Sequence, residues 1–156
     1  MIGAYKQFDQ QLHSEVDHIA NEIVIQFLSD NGIYAIRNSD IYGQDILVFL
    51  GYKHNRFIEV EVKRSWKAHQ DKFPWEFINL PERKEKFLRT RKDVEFWILR
   101  EDMKAVVIIP GAAVKQAEKV EVSNKYTASG ELFFKVPIDK CEIMYIILTG
   151  DVNATA

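Results

Sequence analysis

Cysteine is nearly absent from this 156-residue chain: Cys141 stands alone and has no internal partner for a disulfide, which fits a reducing compartment. A zinc cluster is equally unsupported, because no second cysteine exists and His13 and His18 are five apart rather than the four that aligns ligands on a helix. The seven glycines form neither a Walker nor a Rossmann phosphate loop. No serine and histidine stand in a pattern that marks a hydrolase triad. Long apolar runs are also missing. The longest, such as Ala105–Ile109 and Ile143–Leu148, are far too short to cross a bilayer. Met1–Gln7 lacks the basic and apolar blocks of a signal peptide. These absences predict a soluble, cytoplasmic protein.

An apolar fraction of 47% excludes disorder, and the length suits one domain over residues 1–156 with a proper core. The net charge of −2 hides an uneven distribution. Residues 52–92 hold 12 basic and 6 acidic groups, while the segments on either side are acidic. A basic segment of this kind can attract phosphate within a slightly acidic protein, although a charge cluster alone is more often a solvated face.

Along the chain, Val16, Ile19, Ala20, Ile23 and Phe27 recur at three- and four-residue spacing, which predicts an amphipathic helix over 14–30. Ser14 is its expected N-cap, and Asn31-Gly32 its stop. Strands are expected at 33–37, 45–50 and 56–64, then an irregular stretch at 65–80 and a second helix from Pro81 to about residue 89. Strands at 94–100 and 105–109, a short helix at 112–118, and strands at 131–136 and 142–148 complete the order, with a loop over 123–130 and fraying after 151. Short turns make the early strands antiparallel, and the crossover between 56 and 100 makes a parallel pair. The class is therefore α/β, a mixed sheet flanked by helices.

The chemistry concentrates in Asp45-Ile-Leu-Val-Phe and Arg56-Phe-Ile-Glu-Val-Glu-Val-Lys63. On one strand Glu59, Glu61 and Lys63 share a face, while Ile58, Val60 and Val62 share the other. A hairpin symmetric about Lys53 would set Asp45 directly across from Glu61. Like charges about 4.5–5.5 Å apart destabilise a sheet, so a divalent cation is expected between them. Asp45, Glu61 and the backbone carbonyl of Val62 would hold Mg²⁺ or Mn²⁺, which prefer oxygen ligands. Lys63, about 6.6 Å along the same face, would act on phosphate or water. An isolated Glu-x-Lys is usually a charged face turned to solvent, and the aspartate on the preceding strand together with the strongly apolar opposite face lifts this one above that reading. Glu15 and Glu22 on the first helix both border the apolar stripe; each is either a third acid for the site or an ordinary flanking surface residue, and the second reading suits Glu15 better.

These residues resemble the PD-(D/E)XK nuclease superfamily, with its restriction-endonuclease-like αβββαβ core. The matching elements are Asp45-Ile-Leu-Val-Phe and Phe57-Ile-Glu-Val-Glu61-Val-Lys63, in the expected strand order. Glu22-Ile-Val-Ile-Gln-Phe-Leu-Ser-Asp-Asn-Gly32 is similar to the first helix of Holliday-junction resolvase-like members. The resemblance covers about residues 14–100, with 101–150 as a C-terminal elaboration carrying extra strands. It implies a Mg²⁺- or Mn²⁺-dependent deoxyribonuclease. Asp45, Glu61 and Glu22 would bind metal, with Lys63 at the reacting phosphate and DNA as the partner. Glu59 is an additional acid that would assist the metal or replace Glu61 in a shifted register. Lys67, Lys72, Arg83, Lys84 and Lys86 become candidate phosphate contacts, and Trp66, Phe73 and Trp75 candidate stacking groups, though aromatics near prolines more often pack under loops. A homodimer, the form of the DNA, and endo- or exonucleolytic action are left open. The competing reading is a non-catalytic module on the same fold that binds nucleic acid or protein.

Overall fold

The computed structural model describes residues 10–40, 42–90, 92–122 and 130–150, with side chains from Glu15 onward. Helix α1 spans Gln10–Asp30, so Ser14 lies inside it rather than at its N-cap. Its apolar stripe buries Ala20, Val24, Phe27 and Leu28. The helix stops at Gly32, whose φ of +78° is the left-handed conformation glycine tolerates, and the Ile33 amide closes the turn on the Leu28 carbonyl at 2.8 Å.

Strands β1 (Ala35–Arg37), β2 (Ile46–Leu50) and β3 (Lys53–Lys63) form an antiparallel meander. After β4 (Phe77–Pro81) and a 3₁₀ helix over Glu82–Leu88, strand β5 (Asp93–Arg100) returns parallel to β3, as the crossover requires. Strand β6 (Ala105–Pro110), helix α2 (Gly111–Gln116), β7 (Glu118–Val122), β8 (Glu131–Pro137) and β9 (Glu142–Tyr145) follow. The main sheet is six-stranded and mixed, in the order β1-β2-β3-β5-β6-β9.

The stretch expected to be irregular contains β4, which joins β8 and β7 in a second sheet of order β4-β8-β7. Its alternation explains it: Ile78 and Leu80 are buried while Phe77 and Asn79 face solvent. The second helix is one 3₁₀ segment, not an α-helix. The expected loop at 123–130 lies, up to residue 129, outside the described residues, as do the last six residues.

Two cores result, one on each face of β3. Ile46, Val48, Ile58 and Val60 pack under α1, together with Trp97 and Leu99. On the other face Phe96, Ile98, Val107 and Ile109 meet Ile78, Leu80, Phe87, Phe134 and Val136 of the second layer. Strand β3 is thus the partition of the molecule, and its charged residues point toward the layer built by the second sheet and the 3₁₀ helix.

Candidate active site

The β2–β3 turn decides which acids meet. Leu50 pairs with Lys53, leaving a loop of Gly51 and Tyr52 alone. Gly51 has φ +63° and Tyr52 is not left-handed, as a two-residue loop with glycine in its first position requires. A register shift follows between Val48 and Phe49: Phe49 faces His54 but Val48 faces Arg56, which leaves Asn55 as the extra residue of a bulge. Ile46 then faces Ile58, and continuing one residue sets Asp45 opposite Glu59. The expected pairing of Asp45 with Glu61 is therefore corrected. The symmetric five-residue loop assumed for it is replaced by a tighter turn and a bulge.

Asp45 is fixed from both sides. Its Oδ2 accepts a hydrogen bond from the Val60 amide at 2.8 Å, and its backbone carbonyl accepts from the Asn38 amide at 2.9 Å. A strand residue turns its N–H and C=O to the same edge, so the Val60 carbonyl points to the β2 side of β3 as its amide does. Val62, whose carbonyl was the expected ligand, lies two residues further along, with its side chain against the α1 core.

Glu59 is only 6% exposed. Burial, together with a hydrogen bond and charge repulsion from Asp45, pushes its carboxyl up to about 8, against the opposing pull of Lys84. Lys84 on the 3₁₀ helix donates from Nζ to Glu59 Oε2 at 3.0 Å, and this ion pair is largely buried. Gln44 secures the same junction, its Nε2 donating to the Phe87 carbonyl at 3.2 Å. The acid that the motif made supplementary is thus the one built into the pair.

Glu61 and Lys63 continue the same face of β3, both half-buried. Burial pulls the Lys63 ammonium below its ordinary value, and the Glu61 carboxylate opposes that shift. Lys63 Nζ lies 5.2 Å from the Trp75 ring centroid. Glu22 is solvent-exposed on α1, which covers the opposite face of the sheet from Glu59. Among the described residues no group of three or more His, Cys, Asp or Glu side chains comes together around a metal-sized space. The expected trio of Asp45, Glu61 and Glu22 is therefore not assembled, and the acids that meet are Asp45 and Glu59.

The candidate phosphate contacts divide. Arg83 pairs with Glu131 at 2.9 Å and Lys67 with Glu101 at 3.1 Å. Lys84 is engaged by Glu59, and Lys86 lies over the Phe87 ring at 4.9 Å. Lys72 is exposed. Trp66 and Phe73 are buried core, so neither stacking group is accessible, whereas Trp75 is exposed. Arg100 braces this loop, donating to the Gln70 carbonyl at 3.1 Å and to both Asp102 carboxylate oxygens. Phe77, Asn79 and Lys135 were not singled out from the sequence. They line a cleft of about 580 Å³ with Lys63, Pro74, Trp75 and Glu76. The alternation of β4 was the signal that could have found Phe77 and Asn79.

Neither protein-family models nor curated proteins match this sequence. Among solved structures it is similar to Archaeoglobus fulgidus Hjc, a Holliday junction resolvase from an archaeal hyperthermophile. The likeness covers 89% of this chain and 96% of that one, with a TM-score of 0.51 and 12% identity. The two chains share a fold. At that identity the Hjc likeness concerns architecture alone, a mixed sheet flanked by helices. No helix among the described residues is long and apolar enough to cross a membrane.

Proposed function

We infer that this protein is a divalent-metal-dependent nuclease that hydrolyses DNA phosphodiester bonds at the Asp45–Glu59 pair. The observation that carries the reading is that pair: two carboxyls brought into hydrogen-bond contact across a hairpin, one of them buried. A fold resembling that of a junction resolvase gives it context.

The donor set suits a hard cation. Two carboxylates and the Val60 carbonyl offer only oxygen, and Mg²⁺ is commonly held by one or two carboxylates with water and substrate phosphate filling the rest. Asp45, Glu59 and Val60 would hold it, in place of the Asp45, Glu61, Val62 and Glu22 set expected from the motif. Such an ion, Mg²⁺ or Mn²⁺, supplies charge neutralisation at the phosphate and a more acidic bound water.

The chain's own residues do the rest. The Val60 amide fixes the orientation of Asp45. Glu61, between Glu59 and Lys63 on the same face, orients the attacking water. Lys63 presents an ammonium to the non-bridging phosphate oxygens, and its partial burial strengthens that interaction. Lys84 compensates the pair's charge from the second-layer side.

That last contact also favours a second reading, a nucleic-acid- or protein-binding module in which Lys84 is the permanent partner of Glu59. The test is cleavage of circular, linear, branched and single-stranded DNA with Mg²⁺, with Mn²⁺ and with chelator. Metal-dependent cleavage that falls at least about a hundredfold in Asp45→Asn and Glu59→Gln supports the nuclease. DNA binding without cleavage, and a melting temperature indifferent to either metal, supports the module.

A further inference from the structure

Beside the acid pair, the cleft of about 580 Å³ has a composition of its own. Two aromatic rings open into it: Trp75 is 41% exposed and Phe77 39%. Each carries a cation. Lys63 Nζ stands 5.2 Å from the Trp75 centroid, and Lys135 Nζ stands 4.2 Å from that of Phe77. Asn79 faces Lys135 across the β4–β8 ladder, adding an amide donor and acceptor. Glu76 also lines the cleft, and Glu118 approaches Lys135 at 3.9 Å.

We propose that this cleft is a subsite for an unpaired nucleotide, so that the substrate is DNA carrying a single-stranded segment. The inference rests on the nuclease reading only in taking the bound strand as that site's substrate. Each ring has an ammonium over its face, which an incoming base would displace onto its own neighbouring phosphate. A duplex keeps its base faces stacked and cannot present them to Trp75 or Phe77, whereas a single strand can. Both rings have support from beneath or beside. Trp75 packs edge-on against buried Phe73 at 5.2 Å, and Phe77 sits in a strand paired to β8. Stacking groups that are already held lose little freedom on binding. The position is right for the purpose: Lys63 belongs to both the cleft and the charged face of β3, about 6.6 Å beyond Glu61. A strand laid with one base on Trp75 would pass its neighbouring phosphate along that face toward Glu59.

The experiment uses the full chain in chelator, so that binding is read without cleavage. A labelled single-stranded oligodeoxynucleotide and its duplex are followed by anisotropy, and the protein by tryptophan fluorescence. Trp66 and Trp97 are buried, so quenching reports on Trp75. The single strand should bind more tightly than the duplex and quench the fluorescence. Trp75→Ala should weaken binding about 5- to 100-fold, and Trp75→Phe far less. Lys135→Gln should lower the salt slope by about 0.7. Phe77→Ala provides a second ring variant should Trp75→Ala fold poorly. Equal affinity for duplex and single strand, or ring variants that bind like wild type, would overturn the subsite. So would polyglutamate competing as well as an oligonucleotide of equal charge. A protein that binds single strands through Trp75 yet never cuts keeps the subsite and loses the nuclease reading. One that cuts single-stranded DNA equally well as Trp75→Ala keeps the nuclease and loses the subsite.

Discussion

Lys84 reaches from the 3₁₀ helix to Glu59 on β3, placing its Nζ 3.0 Å from a carboxylate that is itself in contact with Asp45. The pair of acids and their cation come from three separate segments of the chain. Removing the cation while keeping the side-chain bulk isolates its effect. Lys84→Met should cost about 1–2 kcal/mol more at about pH 9.5 than near pH 5, where Glu59 keeps its proton. At the higher value Glu59 is ionised in the parent protein, and Lys84 is what holds its carboxyl down. Urea unfolding at both values measures it, and an equal cost at the two would count against the charge explanation.

Glu59 also predicts a slope in stability. Folded, it titrates at about 8; its ordinary value is 4.5. Between these values the folded state binds the extra proton, so stability falls as pH rises, by on the order of a few kcal/mol when complete. Glu59→Gln lacks the titrating group and should lose that part of the decline. Melts in chelator from about pH 5 to about pH 8.5 measure it, and parallel curves for the two proteins would refute the shift. Added Mg²⁺ should raise the melting temperature more at the upper end, because a metal must displace the proton.

The carboxylates should differ in catalysis. Glu59→Gln is expected to lower metal-dependent cleavage at least about a hundredfold, because it removes a proposed ligand. Glu22→Gln should stay within about twofold of wild type, since α1 covers the other face of the sheet. Single-turnover rates on one substrate rank the two. A larger loss for Glu22→Gln would restore the helix acid to the site and displace the pairing proposed above.

Much of the scaffold was legible beforehand. The stripe of α1, the strands around residues 46–50 and 56–63, and the parallel return at 93–100 follow from periodicity and from the distance between β3 and β5. The register did not follow from that pattern. The alternation of Glu59, Glu61 and Lys63 is satisfied whichever acid Asp45 faces, so only the turn can choose. Gly51 was the signal that could have marked a two-residue turn in place of the five-residue loop expected, but Asn55 gives no comparable local signal for a bulge. The second sheet was hidden for another reason: β4 is five residues long, and its partner β8 lies some fifty residues later. Local sequence does not report a pairing at that separation.

Asn55 can therefore be tested by counting residues rather than by chemistry. Deleting it would extend the turn-proximal register and put Asp45 opposite Ile58, a core residue of the α1 face. The deletion should cost about 2 kcal/mol or more and abolish metal-induced stabilisation. Asn55→Ala keeps the count and should behave like wild type in both respects. Thermal melts with and without Mn²⁺ compare them; an intact metal response in the deletion would show that the bulge does not align the acids.

Strand β4 hydrogen-bonds to β8, and the 3₁₀ helix that carries Lys84 begins immediately after it. A fragment ending at β6 would retain both acids and the strands bearing them, yet its 3₁₀ helix would lose the β4–β8 ladder and keep only Phe87 and the Gln44 contact to hold Lys84 in place. Strand β8, late in the chain, thus helps to hold the segment that carries Lys84 against the two acids. Whatever loosens its grip on β4 should silence the acids from a distance.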